Sequence, residues 1–354
     1  MEIMKAAYRA GEDDALALFA RAPVIHMASV VQSGSGSGRP ILRTLHGVVV
    51  DGRIAFHGGD HGDKVAVIGR EAVFSAEEVV AEIPSHFINP ERACPATTYY
   101  RSAMAHGVIR RVDDLERKAR VLEALMERFQ PEGGYVPITA GDPRYRKSVA
   151  SLLIAELVPD RLSAKHKLGQ NRDGRQIEKV MAGLWQRGGP GDIRAIRVLF
   201  EEHPGSPEPG FLRGPDGVVL CCAPDRRDAG RVAEILAPQY WNQGVSPEAI
   251  IRAHLGAAAW VVARDRGTGA VIATARANGD GARHAHVMDV AVIDAWRGRG
   301  VGVALMDLLL DHPALRRCAN VRLQTRDAQQ FYERFGFAIN PGRFDTMVLQ
   351  RPGV

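Results

Sequence analysis

The first half of the chain alternates short apolar runs with turn residues, a pattern that is typical of β-strands. Ser-Gly repeats at 33–38 separate the first two runs and predict a hairpin loop. Asp51-Gly52 separates the next two, and this dipeptide supplies the positive φ angles of a type I′ turn. The predicted strands include 24–31, 40–50, 53–57 and 100–112, and the segment 149–164 is predicted to contain a further strand that ends at Pro159. Strands therefore dominate this half, as in a β-barrel or a sandwich.

Helical periodicity interrupts these strands at a few places. After Asp113-Asp114, apolar residues recur at intervals of four and three as far as Phe129, which predicts one amphipathic helix. A second helical segment covers 175–202, and the Pro/Gly-rich stretch 204–217 follows it. Such a composition is typical of a linker between domains. The predicted division of the chain is a first domain at 1–205, a linker at 206–217 and a second domain at 218–354.

The last third of the chain mixes helices and strands in a different rhythm. Ser246-Pro247 combines a favoured N-cap residue with a proline in the first turn, and so predicts the start of a helix. A strand at 284–293 leads into a helix that begins near Val301, and a strand at 321–325 precedes a last helix and a last strand. The predicted fold class is therefore two domains, a mainly-β barrel with helices followed by an α+β fold.

Composition limits the kind of protein that these elements can form. The 354 residues, 45% of them apolar, are too many for one ordinary domain and sufficient for two. Lys and Arg outnumber Asp and Glu by 46 to 41, and this mild excess without a polybasic tail favours small anionic ligands over nucleic acid. Four cysteines without a C-x-x-C pair argue against a disulfide scaffold. Charged residues near the N-terminus interrupt any signal-peptide core, and no apolar run reaches membrane-helix length. We expect a cytoplasmic protein that binds neither nucleic acid nor membrane.

A Gly- and Arg-rich turn at 297–302, between a strand and a helix, is the clearest chemical signal in the sequence. Its glycines let backbone N–H groups approach an anion closely, and the N-terminus of the following helix adds a positive dipole. Arg297 and Arg299 add two cationic side chains. The turn therefore predicts a pyrophosphate site, although its alternating glycines differ from the dinucleotide fingerprint.

These motifs resemble those of the GNAT acetyltransferase superfamily over about residues 218–354. The run Arg297-x-x-Gly300-x-Gly302 matches the acetyl-CoA pyrophosphate motif, DVAV at 289–292 matches the strand before it, and LQTRDAQQFYERFGF at 323–337 matches the second signature. The resemblance implies direct transfer of the acetyl group of acetyl-CoA to a small primary amine. It also implies cosubstrate contacts from Ala291, Val292, Ile293, Arg297, Gly298, Arg299, Gly300, Val301 and Gly302.

The same resemblance implies two catalytic roles. Tyr332 would protonate the departing CoA thiolate, because a phenol with a pKa near 10 remains protonated at neutral pH. Asp289 is the first candidate for the general base that removes a proton from the ammonium of the acceptor. His286 and His284 are the alternatives, and in this family ordered water often replaces a protein base.

The first half offers a looser set of candidate ligand residues. Arg43 and Lys64 are cations on either side of a Gly-rich bend, a combination that could hold a phosphate. His57 and His61 have the spacing of metal ligands on a helix, but the Gly-rich loop between them argues against a helix. The sequence therefore predicts no metal site.

This half resembles the pyridoxamine 5′-phosphate oxidase-like FMN-binding split barrels over about residues 12–205. The match includes Arg43-Thr44-Leu45, Phe56-His57, Gly62-Asp63-Lys64 and the strand closing on Gly107, while SAKHKLGQNR at 163–172 resembles the end motif of a regulator branch. The resemblance implies that Arg43 and Lys64 hold the FMN phosphate. It further implies contacts to the ribityl chain and ring from Thr44, Leu45 and His57, with Ser102 in addition. A homodimer is implied as well, because flavin sites in these barrels lie at a dimer interface.

Two hypotheses for function follow from these resemblances. In the first, the protein is bifunctional, an N-acetyltransferase fused to a flavin-binding, oxidoreductase-like domain. In the alternative, the barrel is a flavin- or haem-binding sensor that controls the attached acetyltransferase. Haem enters because related barrels can use it and because histidines are plentiful in the first half.

Overall fold

The computed structural model of the protein describes residues 6–32 and 38–339, and the chain divides into two compact units, Met1–Pro209 and Gly210–Val354. The strands of the N-terminal unit are β1 (Arg9–Ala10), β2 (Ile25–Gln32), β3 (Gly38–Leu45), β4 (Gly47–Val50), β5 (Arg53–Gly58), β6 (Glu71–Ile83), β7 (Thr97–Arg111) and β8 (Leu153–Lys167). Its helices are α1 (Glu12–Arg21), α2 (Asp63–Ala66), α3 (Leu115–Phe129), α4 (Arg146–Ser151), α5 (Gly174–Arg187) and α6 (Asp192–Glu202).

The strands of the N-terminal unit form one antiparallel sheet in the order β3-β2-β6-β7-β8-β5-β4, with β1 added against β8. The two end strands of this order, β3 and β4, are separated in sequence by His46 alone, so the sheet must curl until its ends approach each other. Met27, Phe56 and Phe74 are completely buried in the interior of the curled sheet. The predicted mainly-β split barrel is therefore confirmed.

Local sequence signals agree with the structure at several turns and caps. Asp51 and Gly52 have φ angles of 50° and 73° and join β4 to β5, as a type I′ hairpin requires. The predicted amphipathic helix is α3, and the Asp114 carboxylate accepts a hydrogen bond from the backbone N–H of Arg117 at 2.7 Å. Residues 33–37 of the predicted Ser-Gly loop lie outside the described residues, although β2 and β3 on either side of it pair antiparallel.

The predicted end of a strand at Pro159 is wrong. Strand β8 begins at Leu153 and continues through Pro159 to Lys167. The ladder between β7 and β8 shifts register where Gly107 faces Pro159, and such a bulge tolerates a residue without an N–H. A Cβ on Gly107 would lie only 2.1 Å from the carbonyl oxygen of Val158, so the close approach of the two strands requires glycine.

The single helical segment predicted at 175–202 is divided in the structure. Helix α5 ends at Arg187 and α6 begins at Asp192. Between them Gly188 and Gly191 have φ angles of 59° and 84°. These left-handed conformations interrupt the helical backbone, so one helix ends and the next begins. Glycine occupies both positions because residues with a side chain rarely adopt such angles.

The C-terminal unit is a mixed sheet with helices packed against it. Its strands are β9 (Val218–Cys221), β10 (Ala259–Asp265), β11 (Val271–Gly279), β12 (His284–Val292) and β13 (Asn320–Arg322), and its helices are α7 (Arg226–Leu236), α8 (Pro247–Leu255), α9 (Val301–Leu310) and α10 (Gln329–Glu333). The strand order is β13-β12-β11-β10-β9, with only the β12–β13 pair parallel among the described strands. The predicted α+β layout is confirmed, and the predicted last strand lies beyond residue 339, outside the described residues.

Ser246 caps α8 as predicted, because its hydroxyl accepts a hydrogen bond from the N–H of Ala249 at 3.2 Å. Apolar residues of α7, such as Val232 and Leu236, pack with Trp260 and Val262 of β10 in the core. Within residues 6–32 and 38–339, no helix is long and apolar enough to cross a membrane.

Candidate functional site

A bulge in β12 shapes the main cleft of the C-terminal unit. The β11–β12 ladder shifts register between Thr274 and Arg276, so that Asp289 and Val290 face one residue of β11. Asp289 adopts a φ of 53°, a left-handed conformation that is uncommon for a residue with a side chain. β13 pairs with β12 only before this bulge, at His284 to His286. Beyond it the two strands are no longer paired, and a cleft opens there.

Side chains from two other elements hold the bulge in place. The Nε of Arg276, on β11, donates a hydrogen bond to Asp289 Oδ2 at 2.6 Å. The indole Nε1 of Trp241, in the short 3₁₀ turn Tyr240–Asn242, donates to Asp289 Oδ1 at 3.0 Å. Both carboxylate oxygens of Asp289 are therefore engaged. These contacts offset part of the free energy of the strained backbone.

The cleft has a volume of about 1240 Å³ and is bordered by both sequence motifs. The glycine turn contributes Gly298, Gly300 and Gly302, and the second motif contributes Tyr332. The bulge contributes Asp289. Residues that are far apart in the sequence thus share one cavity.

The glycine turn has the geometry of an anion site. Gly298 and Gly300 have φ angles of 73° and 80°, and Gly300 is the N-cap of α9. The first N–H groups of a helix have no partner within the helix, so those of Val301 and Gly302 are available to a ligand. A Cβ on Gly302 would lie 3.4 Å from the ring of Phe331, an ordinary van der Waals contact, so this turn packs directly against the second motif.

The two arginines of the turn differ in position. Arg297 lines the cleft, donates from Nε to the carbonyl of Val292 at 3.1 Å and pairs with Asp294 at 2.9 Å. The guanidinium of Arg299 lies 5.1 Å from the centre of the Trp296 ring, a cation–π contact. Arg299 is outside the cleft lining of the described residues, as is Ile293, whereas Ala291 and Val292 belong to that lining.

Tyr332 lies on α10 among aromatic rings, 5.0 Å from Phe331 and 6.0 Å from Phe337 between ring centres. Burial raises the pKa of Tyr332 above its ordinary value, and the neighbouring phenol of Tyr240 raises it further. The phenol is therefore protonated throughout the neutral pH range. Of the candidate bases, Asp289 and His286 line the cleft. His284 is the first residue of β12 and is exposed to solvent.

The partners of Asp289 were not identified from the sequence. Arg276 and Trp241 lie on different elements, 13 and 48 residues away along the chain. The available signal for Trp241 was its position in an exposed aromatic segment between two helices. No comparable signal distinguishes Arg276 from the other arginines.

In the N-terminal unit, a charged cluster forms around Asp63. The Asp63 carboxylate accepts hydrogen bonds from Arg43 and, at 3.3 Å, from Arg39. The ammonium of the adjacent Lys64 lies 3.4 Å from the carbonyl oxygen of His57. The Lys64 side chain crosses Gly58, where a Cβ would approach its Cδ to 3.0 Å. The structure thus brings Arg43, His57 and Lys64 together.

The other predicted barrel residues have different environments. Thr44 is exposed next to Arg43, whereas Leu45 is buried in the barrel core. Ser102 lies on β7 opposite Lys165 of β8, three strands away from Arg43 in the sheet order. Partial burial lowers the pKa of His57, and the positive charge of Lys64 lowers it further, so the imidazole is neutral at pH 7.

Residues 6–32 and 38–339 contain no cluster of three or more His, Cys, Asp or Glu side chains that could hold a metal ion.

The fold thus defines a two-domain protein, in which a split barrel is followed by an α+β domain whose cleft is bordered by a glycine turn. Residues 11–166 match the family model of pyridoxamine 5′-phosphate oxidase, and residues 230–337 match that of the acetyltransferase (GNAT) family. The chain is therefore a fusion of a pyridoxamine 5′-phosphate oxidase-like domain with a GNAT domain. A search of curated proteins found no significant match to the chain.

Solved structures resemble one or the other part of the chain. The FAD and haem binding protein from Mycobacterium smegmatis is 21% identical with a TM-score of 0.38, and the match covers 50% of this chain and 80% of that one. A GNAT-family protein from Xanthomonas campestris is 27% identical with a TM-score of 0.36, covering 40% and 98%. A flavocytochrome from Azotobacter vinelandii is 16% identical with a TM-score of 0.36, covering 46% and 72%.

Proposed function

We propose that the C-terminal domain transfers the acetyl group of acetyl-CoA to a small primary amine. One observation carries this proposal: the glycine turn of α9 and the phenol of Tyr332 border the same cleft. The first can bind the pyrophosphate, and the second can donate a proton at the other end of the cosubstrate. Membership of the GNAT family supports the acetyl-transfer chemistry in general.

The residues of the cleft fit acetyl-CoA in their chemistry. The first N–H groups of α9, those of Val301 and Gly302, have no partner within the helix, and Gly298 and Gly300 shape the turn before them with positive φ angles. Arg297 lies at the same turn and adds positive charge. The bulged end of β12, with Ala291 and Val292, supplies backbone groups that can polarise the thioester carbonyl. Ile293 and Arg299, outside the lining, are proposed to support this turn.

The proposed reaction is direct attack of the neutral amine nitrogen on the thioester carbonyl carbon. A C–N bond forms, the C–S bond breaks, and the thiolate takes the proton of the Tyr332 hydroxyl. The proton lost by the amine passes to a base or to water in the cleft and returns to Tyr332 through solvent. Tyr332 can act as the acid because its phenol is protonated at neutral pH.

Thiol release from acetyl-CoA across a panel of amines tests this proposal. Release that depends on both acetyl-CoA and the amine, with an acetylated amine as the product, is the expected result. Failure of the protein to bind acetyl-CoA in equilibrium dialysis would contradict the proposal.

Asp289 is the first candidate for the base, and its geometry adds a second role. Both of its oxygens accept hydrogen bonds from Arg276 and Trp241, and this favours holding the bulge over removing a proton. We therefore expect Asp289→Asn to lower kcat by about tenfold, the equivalent of about one lost hydrogen bond to a charged group, without changing the pH profile. Kinetics from pH 5 to 10 provide the measurement. Loss of the acidic limb of the profile would instead assign the base role to Asp289.

For the N-terminal domain we propose binding of FMN, with its phosphate held by Arg43 and Lys64. The cluster at Asp63 supports this, because the Arg43 guanidinium already pairs with a carboxylate. A bound phosphate can take the place of that carboxylate. Among the described residues the Lys64 ammonium donates to the carbonyl of His57 at 3.4 Å, and it retains further donors for an anion. Thr44 and the neutral His57 are next to this cluster and can contact the ribityl chain and ring, and the backbone of Leu45 can do so as well. Bound flavin would supply hydride or electron transfer.

Ser102 lies three strands from Arg43, so one barrel does not unite the predicted flavin residues. A homodimer in which Ser102 of one protomer completes the site of the other is consistent with this separation. We propose such a homodimer, and its mass in solution by light scattering tests it. A monomer that binds flavin tightly would contradict this arrangement.

Arg43→Ala/Lys64→Ala is expected to weaken FMN binding by about 100-fold or more, since each charged hydrogen bond contributes about 1.5–3 kcal/mol. Quenching of flavin fluorescence on titration measures the affinity. Arg92→Ala/Lys147→Ala removes the same charge from exposed positions outside the cluster and should leave the affinity unchanged. Equal losses in the two double variants would contradict a phosphate site at Arg43 and Lys64.

The alternative hypothesis, a sensor barrel that binds flavin or haem and controls the acetyltransferase, differs in its observables. The visible spectrum of the purified protein distinguishes flavin bands from the Soret band of haem. A sensor would change the rate of acetyl transfer when its ligand binds, whereas a flavin enzyme would oxidise a reductant such as NAD(P)H. The pairing of two cations at the Asp63 cluster favours a phosphate-bearing ligand, and thus FMN.

A further inference from the structure

One wall of the acetyl-transfer cleft is aromatic and reaches solvent. Tyr240 and Trp241 pack edge to face with 4.9 Å between ring centres, and both line the cleft. Their exposed fractions, 39% and 40%, are high for such large side chains. Exposed aromatic pairs in a cleft are typical contact surfaces for an apolar ligand group.

Arg326 lies on this wall, next to the proposed proton donor. Its guanidinium carbon is 3.8 Å from the centre of the Tyr240 ring, and it also lines the cleft. The Tyr240 phenol is close enough to Tyr332 to affect its ionisation. Arg326, Tyr240 and Tyr332 therefore surround the part of the cleft where the thioester would react.

The described charges that line the cleft are mainly positive, since Arg276, Arg297, Arg326 and Arg334 outnumber Asp289 and Asp327. Asp289 faces the cleft, but its oxygens are occupied by Arg276 and Trp241. Arg276 uses its Nε for that bond and lines the cleft as well. Arg326 pairs with Asp327 at 3.5 Å, and these two side chains are 64% and 68% exposed. An ion pair that is so exposed to solvent contributes about 0–1 kcal/mol, so a ligand carboxylate can replace Asp327.

From this arrangement we infer that the acceptor is an amine that bears a carboxylate and an apolar side chain, and that Arg326 binds the carboxylate. The inference rests on the proposed acetyl transfer and specifies its substrate class. The apolar side chain would contact Tyr240 and Trp241, which places the amino group near Tyr332. A diamine or polyamine would instead bring a second ammonium toward Arg276 and Arg326, where like charges repel.

The test compares an amino acid with the amine that lacks only its carboxylate, and with a diamine. Thiol release from acetyl-CoA is measured with phenylalanine, with phenethylamine and with putrescine. Phenylalanine should have a kcat/KM at least tenfold above those of the other two, because a charge-assisted hydrogen bond contributes about 1.5–3 kcal/mol. Arg326→Gln should raise the KM for phenylalanine by about tenfold or more and leave phenethylamine unchanged.

Two further variants identify the cause of any loss. Arg326→Lys keeps the charge and should restore part of the affinity for phenylalanine. Arg231→Gln removes an exposed arginine on α7, where it pairs with Glu234, and should change none of the kinetic constants. Circular dichroism of each variant confirms that the fold is retained.

Preference for phenethylamine or putrescine would overturn the inference and leave the proposed acetyl transfer intact. An Arg326→Gln variant with an unchanged KM for phenylalanine would also overturn it. A raised KM for acetyl-CoA in place of phenylalanine would assign Arg326 to the cosubstrate. Absence of thiol release with every acceptor tested, together with a failure to bind acetyl-CoA, would instead contradict the proposed function and the inference with it.

Discussion

Tyr332→Phe is expected to lower kcat for acetyl transfer by about 100-fold or more, within the range of general acid catalysis. The substitution removes one oxygen atom and keeps the ring contacts with Phe331 and Phe337. Without the phenol, the thiolate must leave unprotonated or take its proton from water. The KM for acetyl-CoA should change little, because the proposed pyrophosphate contacts lie at the α9 turn.

The pH profile supplies a second readout for Tyr332. Burial and the Tyr240 phenol raise its pKa, so the protonated acid persists to a higher pH than an exposed tyrosine would allow. The alkaline fall in the activity of the unmodified protein should therefore begin only above about pH 10, the ordinary pKa of a phenol, and this limb should disappear in Tyr332→Phe. Tyr145→Phe, in the N-terminal unit, is the matched control and should leave the rate unchanged. An unaltered kcat in Tyr332→Phe would exclude the acid role.

Glu156→Ala is expected to destabilise the N-terminal domain by about 3–5 kcal/mol, the usual effect of removing one partner of a buried ion pair. Glu156 lies on β8 with 3% of its surface exposed. Its carboxylate accepts hydrogen bonds from Arg53 and, at 3.1 Å, from Arg117. Arg117 is itself mostly buried, and it would lose the charged partner that offsets its desolvation. Its remaining carboxylate partner, Asp51, is half exposed and compensates only in part.

Hydrogen exchange of the β8 amides in the intact protein measures this destabilisation separately from the C-terminal domain. Faster exchange throughout β8 and β7 is the expected result, since these strands pair over most of their length. Glu71→Ala, at an exposed strand position, is the control and should change the exchange rates little. A loss below about 1 kcal/mol for Glu156→Ala would show that the pair behaves like a surface ion pair.

Secondary structure was predictable where its cause is local. The Asp51-Gly52 turn, the Asp114 cap of α3 and the Ser246 cap of α8 each depend on a few adjacent residues. The end of β8 was predicted wrongly because its cause is distant. Pro159 continues in the strand only because Gly107, on β7, allows a register shift opposite it.

The candidate sites divide in the same way. The glycine turn before α9 and the tyrosine of α10 belong to contiguous motifs, so the sequence pointed to both and to the two family resemblances. The hydrogen bonds of Asp289 and the contact of Arg326 with Tyr240 join separate elements. No local pattern encodes those pairings.

The sequence by itself determined the two fold classes and the glycine turn before α9, because each follows from periodicity or from motifs of adjacent residues. Only the tertiary structure decided that Asp289 is held by two side chains, that Arg43 pairs with Asp63 beside Lys64, and that Ser102 lies three strands from Arg43 in the sheet order. The physical reason is that hydrogen bonds and ion pairs depend on distances of a few ångströms. Between residues far apart in the chain, those distances are set by how the strands pair and how the sheets bulge.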